Sequence, residues 1–524
     1  MTQKHSATRS GLEPADTVAW HRWLQPLQGA MAGQNAPLDR KFMEAELEAH
    51  TKKRGPPNRA QLLTCLRAHL DAAKAELRNA FYDNNDGAVY VGMYAWTIDI
   101  LLQTLYAETR KHCCGGGDMA VIAVGGYGRG EMAPYSDIDI MILMPKNTTA
   151  AHTKFIEFML YILWDLGLKI GHSTRSISES ISAARDNHTV LTSLLEMRHV
   201  AGDESLWSKL ARAVQHEIGK QKPLVFVEEK LAERDVRHKR FGDTRYVVEP
   251  NVKDGKGGLR DLHSLFWIAK YAYRASSIVD IVKQGVLRDG EARKFALAQR
   301  FLWTVRCHLH LQAGRAEERL DFEAQMMIAP RLGFADRGGM RGVERFMKRY
   351  YLAVRNVGNL TRIFCAAMET DFRKSLKVWR PDFLRARDLG PFRIESGRVR
   401  LLDNFLFRDS PARLIELFSI AHNHDADVHP NTLQRVTRSL STIDAKTRND
   451  THTNRQFLEI LTSRKNPERV LRLMNESGVF GRFLPDFGWI VGMMQFDMYH
   501  SYTVDEHTLK AIGILHDIES GVLR

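Results

Sequence analysis

Residues Val121 to Leu143 read VIAVGGYGRGEMAPYSDIDIMIL. An apolar run rich in Val and Ile breaks into glycines, passes Pro134 and resumes as a second apolar run that carries Asp137 and Asp139. Short apolar runs bounded by Gly and Pro are read as buried strands, so the spacing predicts two strands joined by a glycine-rich loop. Side chains alternate faces along a strand, which puts Asp137 and Asp139 on one side and Ile138 and Ile140 on the other. Two neighbouring carboxylates repel unless a cation neutralises them, and Mg²⁺ is the hard, oxygen-seeking ion of phosphate chemistry. Upstream, Gly125 and Gly126 have no Cβ to keep phosphate oxygens from the backbone N–H groups. Loop and carboxylates thus address one ligand, a metal-bound polyphosphate. A glycine-rich loop alone reads more readily as a flexible turn, and lone aspartates as surface ion pairs; the combination is far narrower. A dinucleotide fingerprint is excluded, because the glycines lead into a strand and not a helix, and the stretch has no GxxxxGK[ST] loop.

Outward from this stretch, QLLTCLRAHLDAAKAELRNAFYDN and YVGMYAWTIDILLQTLYAETRKH repeat apolar residues every three or four positions, predicting two helices around an NNDGA turn. Downstream, TKFIEFMLYILWDLGL predicts a helix, KIGHSTRSI a strand, DNHTVLTSLLEMRHVAG a helix, and RYVVEPNVKDGKGGLRDLHSLFWIAKYAYR a strand, a loop and a long helix. This mixture is an α/β or α+β pattern. Helical periodicity dominates from Gly290 to Thr370, PFRIESGRVRLL reads as a hairpin turned at Ser396 and Gly397, and Ser410 with Pro411 predicts a capped helix start. The resulting division is a mobile arm over 1–58, N-terminal helices and sheet core over 59–275, a helical domain over 276–375, a hairpin and helical linker over 376–490, and a further segment over 491–524.

The 524 residues are 44% hydrophobic and 26% charged, a globular composition long enough for several packed units. Seventy-five basic residues against 62 acidic ones give a net charge of +13, favouring anionic partners such as nucleotides, nucleic acid or acidic proteins. No apolar signal follows the N-terminal basic residues and no run of about 18 apolar residues suits a bilayer; the expectation is a cytoplasmic protein with no membrane association. Five cysteines without CxxC spacing indicate neither a zinc ribbon nor a disulfide framework. The HCCGGG stretch at His112 offers too few convergent groups for a metal site.

The glycine pair with the same-strand DxD resembles the signature of the nucleotidyltransferase superfamily, and its longer form resembles the bifunctional uridylyltransferase and uridylyl-removing enzymes that modify the PII nitrogen-signalling protein. A second motif of that family, EPNxKxxxGGLRDL, is matched by VVEPNVKDGKGGLRDLH. The resemblance implies an α+β fold, with a nucleotidyltransferase-type mixed sheet and flanking helices followed by a largely helical region. It also implies transfer of UMP from UTP to a tyrosine of PII, with Mg²⁺ held by Asp137, Asp139 and a third carboxylate, Glu249. Gly125, Gly126, Arg129, Ser136, Lys253 and Arg260 would bind the nucleotide. Asp261 fits better as a partner of Arg260 or a helix cap, and Arg306, His310, Arg315 and Tyr350 fit a packed helical face better than a lining of the nucleotide or protein-substrate cleft. MQFDMYHSYTVDEHTLKAIGIL resembles the start of the family's HD domain, with His507 as its first ligand; His516 and Asp517 follow too soon to be its doublet. The uridylyl-removing activity is therefore expected to be missing, and a glutamine effector is expected only for family members carrying the ACT domains. Two other readings stay open: an adenylyltransferase or RNA-directed nucleotidyltransferase, with nucleic acid the less favoured acceptor, and a catalytically silent nucleotide-sensing module.

Overall fold

In a computed structural model, which describes residues 38–523 apart from 55–56, 114–116, 221–222, 243, 374–385, 404 and 497–500, three helices lead into the sheet: α1 (Arg40–Arg54), α2 (Arg59–Asn84) and α3 (Gly87–His112). Of the arm expected over 1–58, residues 1–37 lie outside the described part. Arg40–Arg54, by contrast, is a helix whose Met43 and Leu47 are buried against the core, which corrects that part of the expectation. The turn between α2 and α3 forms where NNDGA predicts it. Asn85 ends α2 in the left-handed conformation, and the Asp86 side chain accepts from Ala88 and Val89 N–H to start α3. By length and composition α3 would also suit a membrane span, contrary to the sequence expectation, but most of it is buried inside this protein as a core helix.

The sheet is built from β1 (Ala120–Ala123), β2 (Ile138–Leu143), β3 (Ile170–Arg175) and β4 (Arg198–Gly202), in the order β3-β2-β1-β4. β1 runs antiparallel to β2 and β4, whereas β2 and β3 are parallel, joined through helix α4 (Ala150–Asp165). Two sequence expectations fail here. Helix α5 (His188–Leu195) stops before Glu196, and MRHVAG becomes β4. RYVVEPNV is not a strand of the sheet: it makes only isolated bridges, Val247 with Tyr502 and Asn251 with Arg319, before a tight loop and α6 (Leu259–Tyr273).

Helices α7 (Asp289–Ala313), α8 (Phe322–Arg331) and α9 (Gly342–Arg373) follow. Their buried Trp303, Ile328, Phe346 and Tyr350 belong to the same hydrophobic cluster as the sheet, so no break in the core separates 276–375 from what precedes it. A second cluster gathers Phe392, Phe407, Phe418, Met474 and Leu509 around the sheet β5 (Arg387–Leu389), β6 (Phe392–Glu395), β7 (Arg398–Leu401) and β8 (Asp427–Val428). Ser396 and Gly397 both have positive φ, 51° and 72°, the conformation a two-residue hairpin turn requires. Helix α10 (Arg413–Asn423) starts later than Ser410 and Pro411 predict, because Ser410 N–H closes the preceding short turn on Leu406 O. His507 lies in the first turn of α12 (Val504–Glu519), with His516 and Asp517 in its last.

The two clusters are joined by Glu476 in α11 (Glu468–Ser477), which meets Arg245 at 3.0 Å and Arg362 at 2.7 Å. Burial would raise the pKa of this carboxyl, but the two guanidinium groups hold it near about 2. A depressed carboxylate pKa adds stability that is complete above the unfolded value near 4.5 and fades as pH falls toward the folded one. Glu476→Gln is accordingly expected to cost about 3 kcal/mol at pH 7. That difference should shrink by about half near pH 3, which urea unfolding of both proteins at the two pH values would measure.

Candidate active site

Alternation along β2 buries Ile138 and Ile140 to 1% exposure and turns Asp137 and Asp139 to the opposite side. Asp139 is held between two glycines. A Cβ on Gly125, itself at φ +58°, would stand 3.0 Å from one Asp139 oxygen, and a Cβ on Gly171, its neighbour across β3, 2.4 Å from the other. Gly171 escaped the sequence analysis, although a glycine inside a strand is a known sign of close approach. Gly125 to Gly128 form one helical turn immediately after β1, and Val124 N–H donates to Asp139 O at 3.0 Å, tying loop to strand.

Burial, and then the neighbouring Asp137, push the Asp139 pKa above the ordinary carboxylate value, with Lys253 and Arg129 opposing. Neither aspartate side chain has a hydrogen-bond or ion-pair partner among the described residues. An exposed Asp137 beside a half-buried Asp139, with unpaired oxygens and mutual repulsion, fits a divalent cation: the donor set is all oxygen and the repulsion is one a cation removes.

The aspartates open into a cleft of about 290 Å³ that also takes in Gly125, Gly126, Arg129, Ser136, Lys253 and Arg260. Eight of the nine expected site residues are thus brought together. Lys253 and Arg260 come from the loop before α6 and the first turn of α6; Arg260 lies 3.4 Å from Asp254 and over the Trp267 ring. Arg129, by contrast, is committed. Its guanidinium pairs with Glu131 at 2.9 Å and Glu196 at 2.5 Å, under 10% exposed, so it braces the floor of the cleft. His263 lies beside this pair, and burial together with Arg129 drives its pKa down to about 3, leaving it neutral. Trp303 also faces the cleft, with its indole N–H buried and unpartnered.

The ninth residue, Glu249, is not brought to the cleft. It pairs with Arg319 and accepts from Phe322 N–H at 3.2 Å, at the N-terminus of α8, and it lines a separate cavity of about 370 Å³ with Lys256 and Tyr350. The bridge between Asn251 and Arg319 fixes this placement, and a carboxylate at a helix N-terminus is favoured there in its own right. Glu318 does line the cleft with Asp137 and Asp139, as do Glu131 and Glu196 on its floor. Both Glu318 oxygens accept from Arg306, at 2.9 to 3.0 Å from Nε, and Lys253 Nζ stands 3.8 Å away. Burial would raise the Glu318 pKa, but His310 and Arg306 hold it at about 2. His310 is fully buried and also bonds Pro134 O, so it links Glu318 to the glycine-rich loop. The packed-face reading therefore holds for His310, whereas Arg306 lines the cleft, and the two together position a cleft carboxylate. Arg315 instead pairs with Glu317 on the surface, and Tyr350 is buried. Asp261 takes Arg237, His238 and Gly257 N–H and does not bond Arg260.

A family model described as a nucleotidyltransferase domain matches residues 108–190, one described as GlnD PII-uridylyltransferase matches 225–365, and one described as the uridylyltransferase GlnD third domain matches 392–483. Curated proteins named bifunctional uridylyltransferase/uridylyl-removing enzyme are similar along most of the chain. The one from Rhodospirillum rubrum is 48% identical over 93% of this chain and 53% of its own length. That from Azospirillum brasilense is 46% identical over 94% and 54%, and that from Novosphingobium aromaticivorans 44% over 94% and 55%. The chain spans about half the length of the curated relatives it matches.

Proposed function

We propose that the chain, which matches family models of GlnD PII-uridylyltransferase and is similar to curated uridylyltransferases over about half their length, transfers UMP from UTP to a tyrosine hydroxyl of a PII signal-transduction protein, in the cytoplasm. The observation that carries this reading is a single cleft in which Asp137 and Asp139 face the cations Lys253, Arg260 and Arg306 beside the Gly125–Gly126 backbone. The tyrosine oxygen attacks the α-phosphorus of UTP, the bond to the bridging oxygen of pyrophosphate breaks, and the phenolic proton leaves to solvent. Asp137 and Asp139 would hold Mg²⁺, which when bound supplies charge neutralisation and in-line orientation of the triphosphate. Lys253 and Arg260 meet the negative charge that builds on the leaving pyrophosphate. Arg306 is held in register for the same task by Glu318. Arg129 keeps Glu131 and Glu196 from adding uncompensated negative charge to the floor. The walls contribute Thr189, Ser193 and the Trp303 N–H, polar groups that suit the ribose and base. The donor base is assigned from the names of the relatives, since two aspartates and a cation serve any nucleoside triphosphate.

The test is mass spectrometry of PII after incubation with this chain, Mg²⁺ and one nucleoside triphosphate at a time. A mass increase of one uridylyl group with UTP alone is expected. Addition of AMP instead, or labelling of RNA and not of PII, would replace this reading with another nucleotidyl transfer. Tight UTP binding without product would leave a nucleotide-sensing module.

A further inference from the structure

Away from the cleft, α1 and α2 pack antiparallel through Met43, Leu47, Leu62 and Leu66 and carry a cluster of a different chemistry. Glu46 on α1 and Cys65 and His69 on α2 offer one ligand atom each, all within 4.8 Å of one another. His69 Nε2 lies 2.9 Å from a Glu46 oxygen, and the His69 ring packs edge-on against Phe42 at 5.6 Å, which fixes its orientation. Cys65 and His69 are four residues apart, so both stand on one helix face.

We propose that Glu46, Cys65 and His69 form a three-ligand zinc site, its fourth position open to water, that pins α1 to α2. A thiolate with imidazole and carboxylate ligands suits Zn²⁺, whereas Mg²⁺ takes oxygen ligands, so this site and the aspartate cleft select different ions. Binding expels the thiol proton to solvent and forms a Zn–S bond of about 2.3 Å. The competing arrangement is a metal-free trio in which Cys65 and His69 both hydrogen-bond Glu46.

Metal analysis of the full chain, expressed with zinc and purified without chelator, separates the two. The Asp137→Asn, Asp139→Asn background removes any contribution from the cleft. One equivalent of zinc is expected, and Co²⁺ exchanged into the same protein should show tetrahedral visible bands with a near-ultraviolet thiolate-to-cobalt band. Cys65→Ser should abolish that band and weaken zinc binding by more than about 100-fold, above the range of outer-shell changes. His69→Gln tests the same point without altering the buried Cys65, and circular dichroism checks the helices of each variant. Substoichiometric zinc in the parent protein, or a cobalt spectrum unchanged by both Cys65→Ser and His69→Gln, overturns the site.

Discussion

Replacing Asp137 and Asp139 together by asparagine is expected to lower UMP incorporation into PII by at least about 10⁴-fold, corresponding to roughly 5 to 6 kcal/mol of lost transition-state stabilisation. The substitution keeps size and shape, which matters because Gly125 and Gly171 leave Asp139 no room for a larger side chain. What it removes is charge. In the absence of a cation, that charge is a cost to the fold: Asp139 is partly buried, repelled by Asp137, and without an ion-pair partner among the described residues. Thermal stability of the double variant in chelator should therefore equal or exceed that of the parent. Adding Mg²⁺ with UTP should raise the melting temperature of the parent but not of the variant. Catalytic loss at retained or increased stability cannot be produced by misfolding, so measuring both isolates the electrostatic role. Substantial residual incorporation would remove the two aspartates from the mechanism.

The parts of this arrangement legible in the sequence are those set by local periodicity. The helices from Arg59 to His112 follow from apolar spacing and a turn sequence that supplies both caps. The shared face of Asp137 and Asp139 follows from the pleat alone. β4 was hidden because its five residues contain Arg198 and His199 and directly continue a helical pattern, and its identity comes only from pairing with β1. Glu249 sits in the more distinctive motif, yet the direction of its side chain is decided by Arg319 and by the start of α8, some seventy residues later. Glu318 sits in GRAEERLDF, among alternating charges that single out none of them, and gains its role from Arg306 and His310 one helix earlier. The same holds for the cluster on α1 and α2. The i, i+4 pair Cys65 and His69 is visible in the sequence, but its partner Glu46 lies in a segment whose polar composition reads as an arm.

The placement of these two glutamates yields opposite expectations for two otherwise identical substitutions. Glu318→Gln removes the counter-charge of Arg306 and the nearest carboxylate to Lys253, while leaving an amide that can satisfy only part of the guanidinium fork. Arg306 and Lys253 would then be free to pair with Asp137 and Asp139 in the empty cleft, competing with the cation for the same oxygens. A fall in kcat of roughly 100-fold is expected, about 3 kcal/mol, with a KM for UTP that changes much less, because the released positive charges still attract the triphosphate. Glu318→Asp keeps the charge and should recover part of the loss. Glu249→Gln, by contrast, weakens an ion pair with an exposed Arg319 at a helix start outside the cleft, and kcat should stay within about threefold of the parent. Steady-state kinetics of the three variants with UTP decides the matter. If Glu249→Gln is the more damaging change, the segment Val247–Asn251 must turn toward the aspartates when nucleotide binds, and Glu249 is the third carboxylate after all. If Glu318→Gln is, Glu318 acts by holding the cations that face the triphosphate.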